Sequence, residues 1–580
     1  MIQYLESDKK LGTVLPNIAT MLGRNAGRLP DHTVYAEQKD GAYQITTWMQ
    51  FYTDICNIAC HLRELGFEPG DKMVIYSPNR LEMLEMELAV MASGGVSVPI
   101  FSNFQKETAE LLIHYSGARF ISVSGDIQLS RLSLTLQIKK IIMFDQTDST
   151  VFNDLIPFRN LLKEVRDHSS ALCMDSKPDD VCLNMFTSGT MGLPKCVQLT
   201  HGNILSQQAA LDQIWNIDEN DRFLSYLPWH HSFGGIFERF TALYHGAAIY
   251  LEPSLGKDPN LILNNFRDVK PSVFFSVPKV YQALISRIQS MPAEEGYFFH
   301  PGLKFVFTAA ASLPQNISQV FDTHRVPVIE GWGLTETSPC CTLTDPSAKR
   351  EQGLVGKPIP GVTIRLAEDG EIQIKGPNVM KGYYRNEEAN ATAFTDDGWY
   401  CTGDVGELTP GGLKLITRKD RVFKLVNGEK VIPTEMESLI QNKCHYITFA
   451  LVEGSGKEYP VALLFPNKKA LEHPNYEMTP DEGCFCPRSI EDLGKCLHGC
   501  LSDTNCSIGQ KFARIKSAMI IDDELSIDKS TLTPSLKLAP KNVVNAYKAH
   551  LENLYGSDNK LEEDIYIIRL NKDYSIDQEA

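Results

Sequence analysis

The chain has 580 residues, 43% of them hydrophobic, and a formal net charge of −16. That length and apolar content suffice for a large core and for more than one domain. The acidic balance argues against a nucleic-acid partner held by phosphate contacts and against broad electrostatic attachment to an anionic membrane, though a local basic patch stays compatible with it.

Met1 to Lys10 carries charges but no apolar core, so no secretory signal is expected. Fourteen cysteines are scattered without the dense spacing of a secreted disulfide framework. A reducing cytosol is therefore the expected compartment, with at most weak peripheral contact at a membrane. Leu88 to Phe104 is uncharged but contains Gly94, Gly95 and Pro99, and reads as a helix end, a turn and a buried strand.

From Met73 onward, short apolar runs alternate with helical patterns. Met73–Tyr76, Val96–Ile100, Arg119–Val123, Ile141–Phe144 and Val181–Phe186 read as strands, followed by Phe223–Leu227, Ala247–Leu251, Val273–Val277 and Phe305–Thr308. Leu81–Met91 and Lys279–Ser290 read as helices between them. The alternation predicts an α/β fold of parallel sheets covered by helices. After Gly353 the runs Val362–Leu366, Glu371–Ile374 and Leu413–Thr417 predict a small antiparallel unit. Past Asp420, Ile447–Glu453 and Tyr459–Leu464 flank Gly454-Ser-Gly456 and predict a hairpin. Helices are expected over Ile490–Leu501 and Asn542–Tyr555, the latter with Val544, Tyr547, Leu551 and Leu554 on one face. The expected organisation is a large domain over 1–418 with its β-rich part at 353–418, a hinge at 419–421, a smaller α+β domain over 422–556, and a loosely held polar tail over 557–580.

Thr187-Ser-Gly-Thr-Met-Gly-Leu-Pro-Lys195 follows the apolar run that starts at Val181. Thr187, Ser188, Gly189, Thr190 and Gly192 let successive backbone N–H groups curl around an anion, and Lys195 adds a mobile cation. The spacing is not that of a Walker A loop. Taken alone, the stretch also fits a surface turn.

Further stretches narrow the choice. Gly331-Trp-Gly-Leu-Thr-Glu-Thr337, Tyr400-Cys-Thr-Gly-Asp404, Thr417-Arg-Lys-Asp-Arg421, Val426-Asn-Gly-Glu-Lys430 and Leu532-Thr-Pro-Ser-Leu-Lys537 stand in that order. With them the chain resembles the adenylate-forming superfamily of acyl- and aryl-CoA synthetases, luciferases and peptide-synthetase adenylation domains, from about Met73 to Tyr555. Leu227-Pro-Trp-His-His-Ser-Phe-Gly-Gly-Ile-Phe-Glu-Arg-Phe240 and the Leu-Thr-Pro-Ser-Leu-Lys ending look most like the long-chain fatty acyl-CoA synthetases.

The resemblance implies a two-step reaction on one site. A fatty acid carboxylate attacks the α-phosphorus of ATP to give acyl-AMP and pyrophosphate, and the thiol of CoA then displaces AMP. Both steps gather anions, so cations and oriented donors are needed where charge builds up. By resemblance Thr187 and Glu336 hold Mg²⁺, which needs few protein ligands because it keeps several waters. Thr335 touches the α-phosphate, and Gly331, Trp332 and Gly333 form the adenine loop, with Trp332 open to a plain core role as well. Ala310 and Ala311 stand in a segment that is usually glycine-rich and approaches adenine. Asp404 is assigned to the ribose hydroxyls and Arg418 to ribose or phosphate. Lys537 is the implied catalytic lysine of adenylation, with Lys541 as runner-up, since Leu538-Ala-Pro540 replaces the expected basic residues. Asp420 is the implied hinge, and Asn427, Gly428 and Glu429 line a path for the pantetheine thiol once the small domain has rotated. His231 aligns with a histidine lining the acid site, with a structural role left open. Two other outcomes stay open: transfer to the pantetheine of an acyl carrier protein, and a nucleotide- or acyl-lipid-binding sensor without turnover. Cys484, Cys486, Cys496, Cys500 and Cys506 match no standard zinc spacing, and Cys496 and Cys500 share a helical face, which favours packing.

Overall fold

The computed structural model describes residues 4–133, 137–149, 152, 155–168, 171–187, 195–309, 313–348, 350–351, 353–444, 446–467, 489–526, 529–532, 538–556 and 565–570. The chain divides into two compact units, Met1–Thr402 with Gly406–Leu415, and Gly403–Val405 with Ile416–Ala580. The boundary expected at 418 differs because 403–405 and 416–418 make their contacts with the second unit.

In the first unit the alternating pattern folds as anticipated. An eight-stranded sheet runs in the order Gly382–Tyr383, Lys195–Thr200, Val181–Thr187, Val96–Ile100, Lys72–Tyr76, Phe120–Val123, Lys140–Met143, Leu155–Pro157. Its strands from Val181–Thr187 to Leu155–Pro157 are parallel, and Lys195–Thr200 turns back antiparallel on Val181–Thr187. Both faces are covered, so these strands are continuously apolar rather than alternating. The Leu81–Ala92 helix is buried from Met83 onward, which explains a sequence that is apolar almost all round. Its Glu87 pays for burial by a two-pronged ion pair to Arg239, at 2.9 and 2.6 Å, with both side chains fully enclosed. Removing one partner of such a pair strands a buried charge.

The antiparallel strands expected after Gly353 are present within this unit, and they are continuous with its second sheet. Thr342–Leu343 pairs antiparallel with both Val328–Trp332 and Leu354–Pro358, and this joins them to a parallel core in one fourteen-stranded sheet. The two-residue strand Thr342–Leu343 is too short to leave a periodic trace.

The second unit holds a four-stranded sheet ordered Ile447–Glu453, Val461–Pro466, Ser517–Ile521, Ile565–Arg569. The hairpin expected around Gly454 is present, with Leu451 opposite Leu463. Side chains alternate between two cores. Ala450, Val452, Ala462, Leu464, Ala518 and Ile520 face a cluster containing Met436, Leu493 and Leu497. Leu451, Val461, Leu463, Phe465, Met519 and Ile521 face Val543, Tyr547, Leu551 and Leu554. This two-residue period is what a sheet covered on both faces requires.

Two further expectations are corrected here. The helix over Asn542–Tyr555 is two, Pro540–Ala546 and Lys548–Asn553, broken at Tyr547 where φ is −109°. The tail is not wholly loose: Ile565–Arg569 adds an antiparallel strand along Ser517–Ile521. Its short apolar run is hidden among charged neighbours, and pairing to a distant strand leaves no local signal. No helix among the described residues is long and apolar enough to cross a membrane.

Candidate active site

The first unit brings several of the implicated residues together. Thr187 ends its strand opposite Lys195, which begins the next, so the two flank the proposed anion loop. The Thr187 hydroxyl donates to the Lys195 carbonyl at 3.4 Å. The Lys195 ammonium lies 4.8 Å from the centre of the Tyr383 ring. The Tyr383 hydroxyl donates in turn to Glu336 Oε1 at 2.9 Å. One tyrosine therefore links the cation of the loop to the carboxylate of a motif far along the chain. Tyr383 is held in place because its strand pairs with Lys195–Thr200, setting Val197 opposite it.

Gly331 to Thr337 closes tightly because its neighbours leave no room. A Cβ at Gly333 would lie 1.8 Å from the Pro339 carbonyl oxygen, so that position admits glycine and nothing larger. After the loop, Glu336 sits in a short 3₁₀ turn, Thr335–Thr337, and is itself only 8% exposed. The turn is tied down from outside: Asn378 Nδ2 donates to the carbonyls of Thr337 at 2.9 Å and Cys340 at 3.1 Å, and the Met380 N–H donates to the Glu336 carbonyl at 2.8 Å. Gln207, from the helix that follows Lys195–Thr200, accepts from the Cys340 N–H at 2.7 Å. Trp332 is buried in the main apolar core.

The His230–Phe240 segment enters the same region. Phe233–Glu238 forms a π-helical turn, a local widening that is frequent at functional sites. Just before it, the Ser232 hydroxyl bonds to Thr335 Oγ1 at 2.9 Å. His231 is exposed, and its Nδ1 accepts from the Phe233 N–H at 3.3 Å, which sets the tautomer with the proton on Nε2. Burial, then the neighbouring His231, hold His230 neutral with a pKa pushed down to about 3. At the far end of the turn, burial drives the Glu238 carboxyl upward, and its Oε2 accepts from the Ser225 hydroxyl at 2.7 Å.

The second unit carries its own pairings. Arg418 Nη1 donates to Asp404 Oδ1 at 2.8 Å, so these two implicated residues act on each other and the guanidinium orients the carboxylate. Lys541 Nζ lies 3.6 Å from Asp420 Oδ2. Asn427 and Gly428 form the exposed tip between Phe423–Lys424 and Lys430–Val431, where Gly428 takes φ +83°. Ser188, Gly189, Thr190, Gly192, Ala310, Ala311, Lys537, Cys484 and Cys486 lie outside the described residues.

Residues 22–384 match the AMP-binding enzyme family, and residues 420–559 match the AMP-binding enzyme C-terminal domain. The chain belongs to this adenylate-forming family. Among similar proteins, the long-chain-fatty-acid–CoA ligase FadD15 of Mycobacterium bovis is 25% identical, covering 93% of this chain and 97% of its own. Long chain acyl-CoA synthetase 7, peroxisomal, of Arabidopsis thaliana is 26% identical, covering 89% and 82%. The fold resembles that of O-succinylbenzoate coenzyme A synthetase from Bacillus subtilis, in complex with ATP and magnesium ion, with a TM-score of 0.70, 21% identity and coverage of 91% and 99%.

For an adenylate-forming enzyme the donor set suits a hard divalent cation. Glu336 is a buried carboxylate whose described hydrogen-bond partner is a neutral hydroxyl. Thr187 contributes one hydroxyl whose own bond is long. Among the described residues no cluster of three His, Cys, Asp or Glu ligands forms.

Tyr383 and Ser232 were not singled out from the sequence. Tyr383 stands in Lys381-Gly-Tyr-Tyr384, and the glycine before two tyrosines was its one visible cue. Tyr383→Phe keeps the ring under Lys195 and deletes the hydroxyl held by Glu336. It is expected to raise the Mg²⁺ concentration for half-maximal pyrophosphate release about tenfold, the scale of one hydrogen bond to a charged group. An unchanged Mg²⁺ titration would show that the hydroxyl does not position Glu336.

Proposed function

We propose that this chain is an AMP-forming acid–CoA ligase whose acid is a medium- to long-chain fatty acid. The observation that carries the reading is the linked set Thr187, Lys195, Tyr383 and Glu336, which joins a hydroxyl, a cation and a buried carboxylate. The acid class is supported by the long-chain ligases that match this chain over nearly its full length.

In the first step a carboxylate oxygen of the fatty acid attacks the α-phosphorus of ATP, the α–β anhydride bond breaks, and pyrophosphate leaves. Lys195 and the backbone N–H groups of the loop bind the phosphates, Thr335 bonds to the α-phosphate, and Trp332 with Gly331 and Gly333 shapes the adenine site. Asp404, oriented by Arg418, accepts from the ribose hydroxyls. Thr187 and Glu336 would hold Mg²⁺, which neutralises phosphate charge when bound. Lys537 draws the carboxylate and the α-phosphate together. In the second step the thiol of CoA attacks the acyl carbon and AMP leaves. Asp420 serves as the hinge that changes which face of the small domain meets the site, and Gly428 sits on the face that guides the thiol.

A screen of carboxylic acids for pyrophosphate release, run with ATP, Mg²⁺ and CoA, tests the reading. Fatty acids of medium to long chain should give AMP, pyrophosphate and acyl-CoA in equal amounts. Preference for a short diacid or an aromatic acid would replace the acid class while keeping the chemistry. Acyl-AMP that accumulates with CoA present, and is consumed by a pantetheine-loaded carrier protein, would replace the acceptor.

A further inference from the structure

Two braced turns of the first unit meet at one pair of hydroxyls. Ser232 Oγ lies 2.9 Å from Thr335 Oγ1, and among the described residues each is the hydrogen-bond partner of the other. Ser232 is 5% exposed, whereas Thr335 is half-buried, so the pair is closed at the serine and open at the threonine.

The serine end is fixed by a buried network. Asn79 clamps the turn that leads to it: its Nδ2 donates to the Leu227 carbonyl at 2.8 Å, and its Oδ1 accepts from the Trp229 N–H at 2.9 Å. Trp229 Nε1 donates to Ser225 Oγ at 3.2 Å, and the Ser225 hydroxyl donates on to Glu238 Oε2 at 2.7 Å. The Arg239 guanidinium, held by Glu87, lies 5.5 Å from the Trp229 ring centre. The His231 N–H donates to the Pro228 carbonyl at 3.1 Å, and the Gly235 N–H to the His231 carbonyl at 2.7 Å, which carries this rigidity across Ser232. The threonine end is the turn already tied by Asn378 and by the Met380 N–H.

We propose that Ser232 is a positioning residue whose hydroxyl donates to Thr335 Oγ1 and so aims the Thr335 proton at the α-phosphate. The inference rests on the contact between Thr335 and that phosphate proposed above. A hydroxyl has one proton and two lone pairs. When Thr335 donates to an anionic oxygen its proton is committed there, and the bond between the two hydroxyls runs from serine to threonine. The serine proton polarises Thr335 Oγ1 and makes its O–H a stronger donor, as along any chain of hydrogen bonds. It also occupies the lone pair around which an unaccompanied threonine hydroxyl would turn. Both ends are rigid, so the aim is set before the nucleotide arrives.

Calorimetric titration of the full chain with AMP and with adenosine separates this role from a structural one, because the two ligands differ in the phosphate alone. Ser232→Ala should weaken AMP binding about three- to tenfold, the scale of one neutral hydrogen bond, and leave adenosine binding unchanged. Ser232→Thr, which restores a hydroxyl, should return AMP affinity toward that of the unmodified chain. Thr335→Val should weaken AMP at least as much as Ser232→Ala, and adding Ser232→Ala to it should bring no further loss, because a residue that acts through another has nothing left to act on. Should Ser232→Ala fail to fold, Ser232→Cys keeps the volume and weakens the donor, and it should shift AMP binding in the same direction. Equal losses of AMP and adenosine, an unchanged AMP affinity, or losses that multiply in the double variant would each overturn the role of Ser232 while leaving the nucleotide site in place. An unmodified chain that binds no AMP would overturn the nucleotide site itself, and the proposal with it.

Discussion

Glu336→Gln is expected to lower kcat/KM for pyrophosphate release by about 10²–10³-fold, the scale seen when one preorganised charge partner is removed from a reacting phosphate. The substitution is nearly isosteric. Its amide oxygen still accepts from Tyr383, and the backbone ties of the turn at Thr337 and Met380 are untouched. What disappears is the negative charge, in a site where burial leaves little water to take its place. The loss should therefore appear as a raised Mg²⁺ requirement with a folded protein, measured by titrating Mg²⁺ at fixed ATP and by thermal melting. A variant with full activity and an unchanged Mg²⁺ dependence would remove Glu336 from the metal site. Tyr383→Phe should fall between the variant and the unmodified chain, because it loosens the carboxylate without neutralising it.

Lys537→Ala should divide the reaction. Pyrophosphate release from ATP and fatty acid should fall by about 10²–10³-fold, because a point charge that draws two anions together acts in that step alone. Thioester formation from supplied acyl-AMP and CoA should stay within a few-fold of the unmodified chain. Lys541→Ala is the matching control. Its ammonium lies 3.6 Å from Asp420, which gives that lysine a partner within its own unit, at the proposed hinge. Both side chains are substantially exposed, so the pair contributes little to stability and Lys541→Ala should fold normally. Equal loss of both half-reactions in Lys537→Ala, or a larger adenylation defect in Lys541→Ala, would reverse the assignment.

How legible this was varies with the distance over which each feature is determined. Strands such as Val96–Ile100 and Val181–Thr187, and the Leu81–Ala92 helix, were readable because sheets buried on both faces need continuous apolar runs. The motif residues Thr187, Lys195, Thr335 and Glu336 were readable as candidates for a chemical reason: phosphate and a hard cation would demand hydroxyls, glycines and a carboxylate. Tyr383 was not readable, since a two-residue strand has no period and its role depends on pairing with a strand nearly two hundred residues earlier in the chain. The same holds for Thr342–Leu343, which makes the antiparallel strands continuous with the parallel ones, and for Ile565–Arg569, a strand within the expected tail. The break at Tyr547 escaped for the opposite reason. A helical period persists across it, because both short helices present their apolar residues to the same sheet face.

The amino-acid order by itself determined the family and the α/β class and offered candidate phosphate-binding groups, because those depend on local composition and on short motifs whose chemistry admits few substitutes. Tertiary structure decided which of these groups act on one another. It set Tyr383 between Lys195 and Glu336, turned Arg418 onto Asp404, and joined Ser232 to Thr335. Such contacts follow from strand register and helix packing, which depend on residues far apart in the chain.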